Sequence, residues 1–500
     1  MRKFFILFIF VGTAQLALAQ DLPDIYRYSS EELSGTARYI GMSGAFGALG
    51  GDMSAVSINP ASSAVFLSSS ANITLGFRGI KNDISYSNGR TSSDNSTTDL
   101  SNLGGVFIFN NTSGGDFKKL SLAINYQTTR TFDENYIARG VSQNSIDQYF
   151  LNYANGLPLN LLQRPNGESI DKTYSNLGET YGFGAQQAFL GYQAYVIEAE
   201  TNDPENSSYY SLIDAGNFDQ RFNYAATGLN GKLSFNIGTQ FQDFLYLGLN
   251  LNSHFINYES SEEISEFNDN PESETTEVYF GNNLSTNGDG FSFQLGGIFK
   301  ADNWRFGVSY DSPIWYNIRE ETSQYIETNS YQDEYVSIAP NVINTYPEYR
   351  LQTPSKISGS LAYLFGKSGL ISFEYGLKDY SSMKLKPVND PSFAVINQDI
   401  NQNMQASSSY KIGGEYRVSR LSFRAGYRFV ESPFKSDNGT GDLTGYTAGL
   451  GYDFGSLSLN AAYSLATYKE KEPLLNTGLT QPVLLDRDLS KVVISLNFGL

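Results

Sequence analysis

The chain has 500 residues, a formal charge of −18, no cysteine, and 35 tyrosines and 34 phenylalanines against only 17% charged residues. The acidic balance argues against nucleic acid, which needs a basic face, and the missing cysteines exclude disulfide frameworks and thiolate metal sites. Abundant aromatics with a negative mean hydropathy suit a sheet that meets lipid on one face and water on the other.

The N-terminus carries Arg2 and Lys3, an apolar run over 4–11, and Ala17 and Ala19 at small-residue spacing. This predicts an export leader over 1–19. No later run has the ~18 apolar residues of a membrane helix. A membrane-spanning reading therefore requires a closed barrel, since lipid offers strand backbones no other partners.

A small-residue stretch follows, with Gly41, Gly44, Gly47, Gly50, Gly51 and the acid Asp52, then Asn59, Pro60 and Ala61. Glycines let backbone lie directly against another surface, and Asn59, preceding proline, is expected to be extended with its amide free to bond backbone. We read 20–70 as a hatch inside a barrel formed by 71–500. The glycine run has neither of the phosphate-loop spacings.

From there apolar and polar residues alternate repeatedly, as in Leu421, Phe423, Ala425, Tyr427 and Phe429 against Ser422, Arg424, Gly426 and Arg428. Fourteen strands are predicted, at 71–86, 103–110, 119–129, 226–238, 244–259, 287–300, 303–318, 355–366, 369–382, 406–418, 420–433, 442–454, 456–470 and 488–499. From the second strand on, short and long connections alternate, and the count is even. Both features mark an all-β, antiparallel transmembrane barrel of the outer membrane. The eight acids without a base over 259–277 are expected in a surface loop. The connection 130–225 is too long to be structureless. In it Ile146, Tyr149, Phe150 and Tyr153, and again Ala185, Ala188, Phe189 and Tyr192, fall at helical spacing, predicting two helices over the outer mouth that pack on each other or offer a landing surface for a greasy ligand. The last strand aligns Val492, Ile494, Leu496, Phe498 and Leu500 on one face. It resembles the C-terminal strand read by outer-membrane assembly machinery.

Residues 37–52 with Asn59, Pro60 and Ala61 resemble the hatch of the FadL/OmpP1/TodX family of outer-membrane transporters of hydrophobic compounds. Segments beginning at Thr353, Tyr410 and Gly449 agree with it. The resemblance implies a fourteen-stranded barrel with an N-terminal hatch and passive uptake of long-chain fatty acids or other lipophiles. Their entry would be near the outer loops and their exit sideways through the wall. The insertion at 130–225 lies earlier than the helical loops of the fatty-acid members, and the middle of the chain matches no motif.

Candidate chemistry is sparse. The single histidine, His254, adjoins Ser253, but strand neighbours point to opposite faces, so a polar partner has to come from another strand. An enzyme is not expected, nor a metal or other cofactor; haem uptake through His254 is an alternative without a supporting second shell. Glu374, Lys378, Lys411, Glu415, Arg417, Arg424 and Arg428 are predicted to face the lumen. They form either an ion-pair network or, through Lys411, Arg424 and Arg428, a seat for a ligand carboxylate. A hydrophobic small molecule or lipid is the expected ligand. A structural or adhesive barrel with a permanently closed plug is the alternative, and a polar-solute porin is disfavoured by the hatch.

Overall fold

A computed structural model of the chain describes residues 22–330, 332 and 334–500; the predicted leader lies outside the described residues. Fourteen strands form the barrel: β1 (Ser70–Tyr86), β2 (Gly89–Asn110), β3 (Phe117–Thr131), β4 (Phe218–Phe241), β5 (Leu245–Phe267), β6 (Thr275–Ala301), β7 (Trp304–Asp311), β8 (Lys356–Leu364), β9 (Gly369–Asp379), β10 (Ala406–Val418), β11 (Leu421–Val430), β12 (Leu443–Asp453), β13 (Leu457–Pro473) and β14 (Pro482–Gly499). Each pairs antiparallel with the next. β14 returns to β1, with Ser70 opposite Gly499, and closes the barrel.

Alternation is what puts these segments into a membrane. On β1, Asn72, Thr74, Arg78 and Asn82 are buried toward the lumen while Ile73, Leu75 and Phe77 stand exposed on the outside. Outward positions turn charged above Phe77, at Lys81 and Asp83, so the apolar band ends there.

Strands extend beyond that band where the sequence shows no amphipathic signal. β2 starts at Gly89 and joins β1 through a tight turn, well before the predicted 103. From Thr91 to Asp99 it is Ser, Thr, Asn and Asp on both faces, as expected where water bathes both. The acidic stretch over 259–277, expected as a loop, is mostly strand: β5 runs to Phe267 and β6 resumes at Thr275. The predicted strand 303–318 is broken at Ser312, Pro313 and Ile314; beyond the break Trp315–Ser330 continues along the upper half of β6. Pro313 has no N–H to offer the ladder.

The wall is also interrupted between β2 and β3. β2 and β3 share a ladder from Asn110 opposite Lys119 up to Asn102 opposite Gln127, where it stops. Above this, β3 bulges between Thr128 and Arg130, and the chain resumes as Glu134–Ser142, still paired with β4. The upper half of β2 meets this bent segment through side chains. Thr128 Oγ1 donates to the Leu100 carbonyl (2.9 Å), Thr97 Oγ1 to an Asp133 carboxylate oxygen (2.9 Å) and Asn95 Nδ2 to the Asn135 carbonyl (2.8 Å). In register, Thr98 lies opposite the lipid-facing Phe77, so the interruption sits in the outer part of the apolar band.

The 130–225 connection holds both predicted helices, α4 (Asp147–Ala154) and α7 (Phe183–Gln193), together with α5 (Leu159–Leu162) and α6 (Ile170–Tyr181) between them. Ile146, Tyr149, Phe150, Ala185, Ala188 and Phe189 are buried in one apolar cluster. A Cβ at Gly191 would stand 2.6 Å from that of Phe150, which measures how closely α4 and α7 approach. The two helical stripes thus face each other as a cap. Another helix, α8 (Pro391–Asn403), starts with Asp390 accepting from the Ser392 N–H (2.9 Å).

Candidate functional site

Inside the barrel the chain before β1 builds two layers. The lower one is the hatch, with α2 (Ala37–Ile40), α3 (Met53–Val56) and a 3-10 turn (Pro60–Val65); most of its residues from Thr36 to Ala64 are buried. All nine residues singled out in the sequence lie here. Gly41 lies against Gly449 of β12, where an added Cβ would be 3.2 Å from the Gly449 Cα. The Gly47 N–H donates to Glu374 Oε2 of β9 (2.9 Å). Gly44, Gly50 and Gly51 have φ of 77°, 64° and 66°, which side chains resist. Asp52 caps α3 by accepting from the Ser54 N–H (2.9 Å) and the Thr36 hydroxyl (2.7 Å), stitching the two ends of the hatch together. Burial pushes its carboxyl up, against the pull of Arg38 and these two hydrogen bonds.

Asn59 is the main tie between hatch and wall. Its Oδ1 accepts from the Ala61 N–H (3.1 Å), while Nδ2 donates to the carbonyls of Gly47 (2.7 Å), Gly297 (3.1 Å) and Val308 (3.4 Å). Asn59 and Pro60 fit because the wall beneath them is itself glycine: Gly248 of β5 faces Gly296 of β6, and a Cβ on either would overlap them. Gly413 and Gly426 likewise make room for Met42, at 2.5 and 2.6 Å from an added Cβ. The hatch glycines stand out in the sequence as a run, whereas these wall glycines sit singly in strands and look like ordinary strand positions. Ser43, which carries no signal in the sequence, is held at φ 52° by Thr447, which accepts from its N–H (3.0 Å) and pairs with its hydroxyl (2.9 Å).

The upper layer mixes an apolar cluster with the Asp24–Arg27 ion pair of its helix. Helix α1 (Leu22–Ser29) places Ile25 and Tyr28 among Phe132, Tyr258, Tyr316 and Leu351, with Phe393 and Ile400 of α8 in the same cluster. Each such side chain fully buried stabilises by ~1.5–3 kcal/mol. Between the layers lies a cavity of about 180 Å³. Lys232, Lys356, Lys378 and Arg428 reach into it from β4, β8, β9 and β11, with Glu31 of the N-terminal segment and Asp311 of β7.

The structure divides the three predicted anchor residues. Arg424 belongs to the hatch level, its Nε on Glu415 (2.6 Å) and Nη1 on Asn460 (2.9 Å). Glu415 also takes Arg38 of the hatch (2.9 Å) and Arg417 (2.5 Å). Lys411 lines the cavity but is bound to Glu374 (2.8 Å). Arg428 also lines it and, among the described residues, has no ion pair or hydrogen bond; its Nε is buried without a partner. The expected trio is therefore one open cation and two neutralised ones. His254 is likewise inside, its Nε2 on Ser292 Oγ of β6 (2.8 Å) and its ring edge-to-face with Tyr316; the partner comes from the neighbouring strand.

A closed fourteen-strand barrel with an apolar outer band, a polar lumen and an internal hatch defines a channel-type protein of the outer membrane. The chain belongs to the outer membrane protein transport family (OMPP1/FadL/TodX), whose model matches residues 202–497. Members of this family transport hydrophobic compounds across the outer membrane. Among solved structures, a FadL homologue of Pseudomonas aeruginosa is similar with a TM-score of 0.54 at 12% identity, over 94% of this chain and 99% of that one. The toluene transporter TodX of Pseudomonas putida is similar with a TM-score of 0.51 at 12% identity, over 93% and 99%. At this identity the likeness is one of fold. No curated protein matches by sequence.

Proposed function

We propose that this chain takes up amphiphilic lipophiles, long-chain fatty acids foremost, without coupled energy, and releases them sideways into the membrane when the hatch shifts. The observation that carries this reading is where the hatch is clipped. The Glu32 N–H donates to the Thr129 carbonyl (2.8 Å) and Gln127 Nε2 to the Ser34 carbonyl (2.7 Å), on the edge of β3 where its ladder with β2 ends. Movement of the hatch lead therefore loosens the seam itself. The driving force is transfer of the tail from water, ~0.8 kcal/mol per CH₂, first into the layer now filled by α1 and then into lipid.

The test is to close the seam. The side-chain oxygens of Thr97 and Asp133 are 2.9 Å apart, and the chain has no native cysteine, so Thr97→Cys with Asp133→Cys gives a single lockable pair. Under oxidation, uptake of labelled oleate is expected to fall at least ~10-fold, a barrier rise of about 1.4 kcal/mol, and to recover on reduction. Uptake unchanged by a formed disulfide overturns the lateral route.

A further inference from the structure

Directly under the cap lies a second chamber, also of about 180 Å³, whose charge is opposite in sign to that of the cavity above the hatch. Tyr149 of α4, Phe183 of α7, Phe222 and Tyr224 of β4 wall it with aromatic rings, and Leu284 of β6 and Leu474 complete its apolar side. Three carboxylates line it, Asp24, Glu262 and Glu472, and Arg27 is the only base among the lining residues. Two of the three are engaged. Asp24 pairs with Arg27, whose guanidinium stands over the Tyr258 ring (4.7 Å), and Glu472 accepts from the Tyr136 hydroxyl (2.9 Å). Glu262 closes no ion pair or hydrogen bond among the described residues. It stands opposite Tyr224 on one neighbouring strand and Asn282 on the other, above the apolar band, since the outside of β5 turns charged at Glu259. Burial, opposed by Arg27 and reinforced by the Asp24 and Glu472 carboxylates, pushes the Glu262 carboxyl up to about 7.

We propose that this outer chamber is a binding site for cationic amphiphiles, with an alkylammonium head group held between the Glu262 carboxylate and the rings around it and the alkyl chain lying on Leu284 and Leu474. A cation gains twice here: it neutralises a carboxylate that has no partner, and it meets the negative faces of aromatic rings. A carboxylate head group meets like charge instead. The outer chamber therefore suits the class of lipophile that the cation-lined cavity below disfavours. The proposal goes beyond the uptake reading and does not rest on it, because binding at this level requires no movement of the hatch.

Octyltrimethylammonium and 1-octanol, titrated calorimetrically against the purified full-length protein in a neutral detergent, test this. Glu262→Gln is expected to weaken octyltrimethylammonium about tenfold, through loss of the charge attraction, with 1-octanol changing less than twofold. Tyr224→Leu is expected to weaken the ammonium about threefold, and Tyr224→Phe, which keeps the ring, to leave it unchanged. The unaltered protein supplies a second measurement that needs no variant. The groups facing Glu262 are Asp24 and Arg27 of α1, Glu472 of β13, Tyr224 of β4 and Tyr149 of α4; burial and Glu470 push the Glu472 carboxyl up as well, so its ionisation acts in the same direction. A quaternary ammonium cannot titrate, so its affinity is expected to rise about tenfold from about pH 6 to pH 8 as the carboxylate forms, and to rise much less in Glu262→Gln. Ammonium binding that is unchanged in Glu262→Gln, that falls there together with 1-octanol binding, or that is flat with pH in the unaltered protein overturns the proposal; heat-modifiable migration on gels establishes that each variant is folded.

Discussion

Replacing Gly296 with valine is expected to drive the hatch from its seat and turn a closed barrel into an ion-conducting one. A Cβ at Gly296 overlaps Asn59 and comes within 2.7 Å of the Pro60 ring. Because β6 is held by ladders on both sides, the hatch is the part that yields. Overpacking of this kind costs ~1–3 kcal/mol, and the misplaced Asn59 loses its bonds to the Gly47, Gly297 and Val308 carbonyls, at roughly 1 kcal/mol each. Planar-bilayer recording checks it: steady conductance in Gly296→Val where the unaltered protein is silent. A silent variant would show that the hatch adjusts within its seat.

Glu415→Gln is expected to destabilise the protein as strongly. The Glu415 side chain is fully buried and faces Arg38, Arg417 and Arg424 at 2.9, 2.5 and 2.6 Å. Removing one partner of a buried charge group costs ~3–5 kcal/mol, because Arg424 and most of Arg38 stay desolvated, although Arg417 reaches solvent. Arg38 belongs to the hatch, so the loss is felt there first. Unfolding in detergent, followed by circular dichroism and by proteolysis of 30–65, should show cleavage of the hatch before the barrel melts. Coincident loss of both at the usual midpoint would mean that this network does not anchor the hatch.

How far the fold was readable follows from what each residue touches. β9 to β12 were predicted within a few residues of their ends, since lipid on one face and water on the other enforce alternation. The first half of β2 and the tops of β5 and β6 have water on both faces, so their sequences carry no such period. The hatch was readable from Gly41 to Ala61 because close packing demands small residues in sequence. The glycines that receive it, such as Gly248 and Gly296, are scattered over strands and were not. At the cation site, alternation showed that Lys411, Arg424 and Arg428 face inward. It could not show that Glu415 and Glu374 would claim two of them, nor that Lys232, Lys356 and Glu31 would join the third from elements far apart in the chain.

Uptake by the proposed route requires a hatch that moves. Ser43 of the hatch and Thr447 of β12 have hydroxyls 2.9 Å apart, so Ser43→Cys with Thr447→Cys pins hatch to wall in a chain otherwise free of cysteine. Oleate uptake by cells carrying this variant, measured before and after reduction, is the direct test. Uptake that is blocked while the disulfide is intact and restored by reductant is the predicted result; uptake at the unaltered protein's rate with the hatch locked would contradict it.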